Sequence, residues 1–207
     1  MTSHTLPAYR LTAALVALLA LTSVGLDTYE ALMRHPERSL GEEIWRRLRY
    51  FTILTNLLVV LGFAAAALTG KMRATTGAAL TLWIGIVAIV YHTLLFEEHT
   101  GLRWWTDHGM HTIVPIAVAL WWVAYAPKFG LRMRQAAYWL AFPSLYVVYV
   151  LLRGVADGVY PYFFLDPVKS GWGGLGLWVL ALGAGFWLGG VLVIWLAGRM
   201  ATQRITL

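Results

Sequence analysis

The chain has 207 residues, 59% of them hydrophobic and only 13% charged, with a mean hydropathy of +0.66. A soluble domain has roughly 25% charged and roughly 45–50% apolar residues, so this composition excludes a water-soluble globule. At about 20 apolar residues per crossing the length accommodates about six or seven membrane spans and little else. The lack of cysteine excludes disulfides, thiolate metal sites and a cysteine nucleophile.

Apolar stretches recur at residues 11–32, 50–69, 76–96, 110–126, 136–156 and 173–198. They predict an all-α, polytopic membrane protein, one domain over 1–207 with six transmembrane helices. The first stretch reads as a span, not a secretory signal, because Arg10 is the only charge ahead of it and the apolar run continues past Ala20. Before the second, Ser39 and Glu42 have the spacing of a capping box, which opens a short amphipathic helix. Arg46, Arg47 and Arg49 of that region read as phosphate-facing anchors. Thr52, Thr55 and Asn56 then stack on one face of the second span; such threonines either bond back to a carbonyl one turn earlier or face a polar site, and asparagine also joins helices.

His92 lies near the end of the third span. The fourth carries Trp104-Trp105-Thr106-Asp107-His108-Gly109-Met110-His111-Thr112-Ile113-Val114-Pro115. Thr106 or Asp107 is suited to cap its start, and His108 and His111, three apart, are expected on one face. Pro115 has no N–H for the carbonyl of His111, which predicts a kink or a widened turn beside that histidine. Trp104 and Trp105 at one end, with Trp121, Trp122 and Tyr125 at the other, have the separation of the two aromatic belts of a bilayer. In the fifth span Arg153 and Asp157 have the i, i+4 spacing of an ion pair. Gly183, Gly185, Gly189 and Gly190 give the last span a small-residue stripe expected to pack closely against a neighbour.

With six spans, both termini and the even-numbered loops share one side. All ten acidic residues fall on the other, as do His35, His92, His99, His108 and His111, Tyr160 and the Thr52 end of the second span. This gathering predicts a polar pocket opening on the odd-loop face, lined by Asp27, Thr52, His111 and Tyr160. The basic residues divide evenly. Discounting the acid-rich first loop, their count favours cytoplasmic termini, and the excess of arginine over lysine suggests a bacterial cytoplasmic membrane. The net charge of +6 is dispersed without a basic run, so the expected partners are lipids and not nucleic acid.

Three stretches resemble the androgen-induced integral membrane proteins and their short bacterial six-span relatives: Tyr50-Phe51-Thr52-Ile53-Leu54-Thr55-Asn56, then Asp107-His108-Gly109-Met110-His111-Thr112 with Pro115, and Gly158-Val159-Tyr160-Pro161-Tyr162-Phe163-Phe164-Leu165-Asp166. The middle one is similar, almost residue by residue, to the family's N-H-G-M-H-T-x-x-x-P, while helices one, three and six match only as hydrophobic segments. The resemblance implies a hydrolase of fatty acid esters of hydroxy fatty acids, with Thr52 as nucleophile and His111 as base. Asp107 stands where the family has asparagine, and Thr55 where the vertebrate members carry an acidic residue, which leaves open the group that orients the histidine. Asp27, Thr55, Asn56, His92, Asp107, His108, Arg153 and Tyr160 are the supporting candidates, and no cofactor or metal is implied. Two other readings stand beside the hydrolase: a zinc enzyme using His92, His108 and His111, and a non-enzymatic lipid-binding or transport protein.

Overall fold

A computed structural model describes residues 5–203, and among these every regular element is helical, with no strand. Among the described residues five helices are long and apolar enough to cross a membrane: Leu6–Arg34, Phe51–Thr69, Ala74–Leu95, Arg134–Asp157 and Pro167–Thr202. They match the first, second, third, fifth and sixth expected spans. The fourth is different. Its residues belong to α5 (Gly101–His108), a π turn (Gly109–Ile113) and α6 (Val114–Tyr125), and no single piece has the length of a span. Pro115 supplies the reason, since a turn without its N–H widens instead of continuing the i→i−4 ladder.

The widened turn is thus where Pro115 predicts it, but the helix start is not. Gly101, at φ 63°, bends the chain into α5, and Thr100 occupies the N-cap position without a side-chain cap. Thr106 and Asp107 sit in the last turn of α5, where the Thr106 hydroxyl donates to the Arg103 carbonyl. Neither caps the helix.

The chain divides into two compact units, Met1–Lys128 and Phe129–Leu207. In the first, α1 (Thr5–Arg34) packs along α3 (Phe51–Thr69), and α4 (Ala74–Val90) packs on α3 and α6. Ala13, Ala17 and Ala20 form a small, buried stripe on α1 that allows close approach. Val59, Phe63, Ile84, Val114 and Val118 fill the core. Short α2 (Leu40–Arg47) joins α1 to α3, and its capping box is formed as the sequence predicts: the Glu42 N–H donates to Ser39 Oγ, and Ser39 N–H to Glu42 Oε2 at 2.8 Å. Leu61, Leu68 and Leu120 are each at least 65% exposed, an outward apolar surface that suits hydrocarbon and not water.

The second unit holds α7 (Arg134–Tyr138), α8 (Ala141–Asp157), a 3₁₀ turn (Phe163–Leu165) and α9 (Pro167–Gln203), which is interrupted at Gly171, φ 65°. Arg153 Nε pairs with Asp157 Oδ2 at 3.7 Å, and Arg153 Nη1 donates to the Tyr149 hydroxyl at 2.7 Å. Two of the four glycines in the stripe of the last span depart from expectation. Nothing lies within 4 Å of where a Cβ would stand on Gly183 or Gly185, so no neighbour packs closely there.

Candidate active site

Thr52 lies in the first turn of α3, and its hydroxyl is 3.3 Å from Nε2 of His111, 59 residues away on the second π turn. The other ring nitrogen, Nδ1, has two acceptors, the Asp107 carbonyl at 2.9 Å and Asp107 Oδ1 at 3.2 Å. Because both partners of Nδ1 are oxygens that accept, Nδ1 carries the proton and Nε2 presents its lone pair to the threonine hydroxyl. The Thr52 hydroxyl, the His111 imidazole and the Asp107 carboxylate thus form one hydrogen-bonded series.

Asp107 is itself held. Its other oxygen, Oδ2, accepts from the hydroxyl of Tyr91, a 5% exposed residue that opens the first π turn (Tyr91–Leu95). The Tyr91 ring stacks on His111, with centroids 3.9 Å apart and planes 13° from parallel. The next residue, His92, meets Thr112 of the second π turn, Nε2 to Oγ1 at 3.0 Å. The two π turns are thus joined by two successive pairs. Tyr91 escaped the sequence reading, whose only hint was that a buried tyrosine hydroxyl needs a partner and that it adjoins His92.

Two glycine and serine positions set the depth at which His111 sits. A Cβ on Gly109 would come within 2.5 Å of Ser23 Oγ and 3.1 Å of Ser23 Cβ, so only glycine permits the second π turn to lie this close to α1. One turn further along α1 is Asp27, 8% exposed, whose carboxylate pairs with Arg47 Nη1 at 2.5 Å.

The remaining candidates separate into those that touch this group and those that do not. Thr55 donates to the Phe51 carbonyl at 2.7 Å and Asn56 to the Thr52 carbonyl at 2.9 Å, so both take the local, back-bonded role. Asn56 Oδ1 is buried with no hydrogen-bond partner among the described residues. His108 stands 4.0 Å from Asp107 Oδ2, but its Nδ1 donates to the Trp104 carbonyl at 3.0 Å and its ring stacks on Trp104. Arg153 and Tyr160 belong to the second unit, where the Tyr160 ring fills the space over Gly154, 2.1 Å from where a Cβ would stand.

The zinc arrangement fails on geometry. Among the described residues no three His, Asp or Glu side chains gather to hold a metal, and His92, His108 and His111 each turn to different oxygens. No family model matches the chain, and neither curated proteins nor solved structures give a match.

Proposed function

We propose that the protein is a multipass membrane hydrolase that cleaves fatty acyl esters, with Thr52 as nucleophile, His111 as general base and Asp107 as the carboxylate that orients it. The observation that carries this reading is the Thr52 Oγ1–His111 Nε2 contact at 3.3 Å, backed by Asp107 on Nδ1 at 3.2 Å. In the reaction His111 Nε2 takes the Thr52 proton as Oγ adds to the ester carbonyl. Collapse of the tetrahedral adduct breaks the bond to the alcohol oxygen, which receives the proton from His111 and leaves an acyl-threonine. Water, deprotonated by the same nitrogen, then adds to the acyl carbon, and as the acyl–Oγ bond breaks His111 returns the proton to Thr52 and the fatty acid leaves.

The resemblance to the androgen-induced integral membrane proteins supports the same assignment, since it selects Thr52 and His111 from a different line of argument. Apolar helices of membrane-spanning length support a lipid substrate, whose acyl chain requires an apolar wall beside the polar end that holds the ester. We further propose that residues 101–125 cross as a sixth span, that the termini are cytoplasmic in a bacterial membrane, and that Asp27 lines the polar end of the pocket.

A fluorophosphonate probe tests the chemistry. Purified protein is expected to label at Thr52, and Thr52→Ala to lose both the label and the hydrolysis of a fatty acyl ester. His111→Ala is expected to lower both by about 10²–10⁴-fold, the range of a general base, while His108→Ala has a smaller effect because His108 bonds the Trp104 carbonyl and reaches the site only through the Asp107 carboxylate, 4.0 Å away. Full activity in His111→Ala would end the mechanism.

A further inference from the structure

Helix α2 has three unlike edges. Successive residues of an α-helix turn by about 100°. Measured round from Leu40, Ile44 and Trp45 stand at roughly 40° and 140°, Glu42 and Arg46 at roughly 200° and 240°, and Glu43 and Arg47 at roughly 300° and 340°. The last pair faces the protein: Glu43 is 3% exposed and ion-paired to Arg38, Arg46 and Arg47, and Arg47 reaches α1 through the Asp27 carboxylate and carbonyl. Glu42 and Arg46 form a charged, exposed edge. Leu40, Ile44 and Trp45 form an apolar edge that is also exposed, by 57%, 43% and 58%.

We infer that α2 lies in the plane of the bilayer surface, with Leu40, Ile44 and Trp45 inserted among phospholipid chains at the headgroup boundary. Three features commit the occupant to lipid. Phe51, four residues after Arg47, opens a helix of membrane-spanning length, so the chain itself holds α2 at the depth where such a helix enters. The adjoining end of α1 also carries exposed apolar side chains, Tyr29 and Met33, 53% and 62% exposed, on the side of that helix turned away from the Asp27 that Arg47 grips. Trp45, with an apolar ring and one N–H, is the residue type that settles at this boundary. Within α2 two glutamates balance two arginines, so the insertion is apolar in origin and requires no anionic lipid.

Because the chain has no cysteine, single nitroxide labels report cleanly. Leu40→Cys, Glu42→Cys, Ile44→Cys, Trp45→Cys and Arg46→Cys are labelled in the full chain, reconstituted in phosphatidylcholine vesicles, and probed by collision with oxygen and with a water-soluble nickel chelate. The oxygen-to-nickel ratio is expected to be several-fold higher at 40, 44 and 45 than at 42 and 46. Equal ratios at all five sites would overturn the inference, as would closure of 40, 44 and 45 to both reagents, which would place a protein surface there. A second measurement leaves α2 without labels. Brominated phosphatidylcholine is expected to quench less of the total tryptophan fluorescence in Trp45→Phe than in the parent, and an unchanged quenched amplitude would refute lipid contact.

Discussion

Tyr91 does two separable things to His111: its ring lies flat on the imidazole, and its hydroxyl holds the carboxylate that orients Nδ1. Tyr91→Phe keeps the ring and removes the donor. A hydrogen bond to a charged group is worth about 1.5–3 kcal/mol, so kcat is expected to fall by about 10–100-fold with KM nearly unchanged, since no substrate contact is lost. Tyr91→Leu, which removes the stack as well, is expected to fall further. Steady-state rates on one acyl ester for both variants check this, and an unaltered kcat in Tyr91→Phe would free the Asp107 carboxylate from its assigned dependence. Gly109→Ala addresses the backbone instead. Its added methyl meets Ser23 Cβ as well as Oγ, and overpacking of this kind costs about 1–3 kcal/mol, to be read as a lower thermal midpoint in detergent. At this scale the sequence shows Thr52, His111 and the carboxylate beside it, through residue type and resemblance. Tyr91 was hidden because its partners, Asp107 and His111, are distant along the chain and on another element.

The elements show the same division between local and tertiary causes. The capping box of α2 was legible because both of its hydrogen bonds join residues three apart, Ser39 and Glu42. Those bonds, from the Ser39 N–H first and its hydroxyl second, hold the Glu42 carboxyl below the ordinary carboxylate range. A lowered value in the folded helix means that the stabilisation is present above the unfolded value, about 4.3, and is lost as pH falls through the folded one. α2 is therefore expected to loosen below about pH 4.5, seen as a sharper spectrum from a nitroxide at Gly41→Cys. Ser39→Ala is expected to bring the same loosening at neutral pH. The second π turn was also legible, as a widened turn, because proline acts on its own ladder. Pro115→Ala restores the missing donor and is expected to tighten the turn, draw His111 from Thr52 and slow fluorophosphonate labelling. The first π turn, Tyr91–Leu95, has no proline or glycine to announce it. It exists where Tyr91 and His92 meet His111 and Thr112, which is a tertiary event.

For the whole molecule the number of crossings decides the topology, and that number turns on residues 101–125. Five spans put the two termini on opposite sides, whereas six put them on the same side. Taken alone, α6 is too short to cross, and this is why only five helices qualify by length. Yet α5, the π turn and α6 follow one another without a gap, and at about 1.5 Å per residue the run is roughly 37 Å long, more than the hydrocarbon thickness of about 30 Å. Trp104 and Trp105, 38% and 61% exposed, suit a boundary at one end, whereas Trp121 and Trp122 near the other are each 3% exposed and pack inside the unit, so the belt expected there is left to Tyr125. The absence of native cysteine allows a direct reading with a membrane-impermeant maleimide on intact cells. Glu98→Cys and Val159→Cys are expected to react from outside, and Lys71→Cys and Phe129→Cys only after lysis. Phe129 is the informative position, because it follows α6 and is 60% exposed. If Phe129→Cys reacts together with Glu98→Cys while Val159→Cys reacts together with Lys71→Cys, the run does not cross and the molecule has five spans. Reaction of Lys71→Cys and Phe129→Cys alone in intact cells would keep six spans and reverse their orientation, placing the acid-rich loops in the cytoplasm.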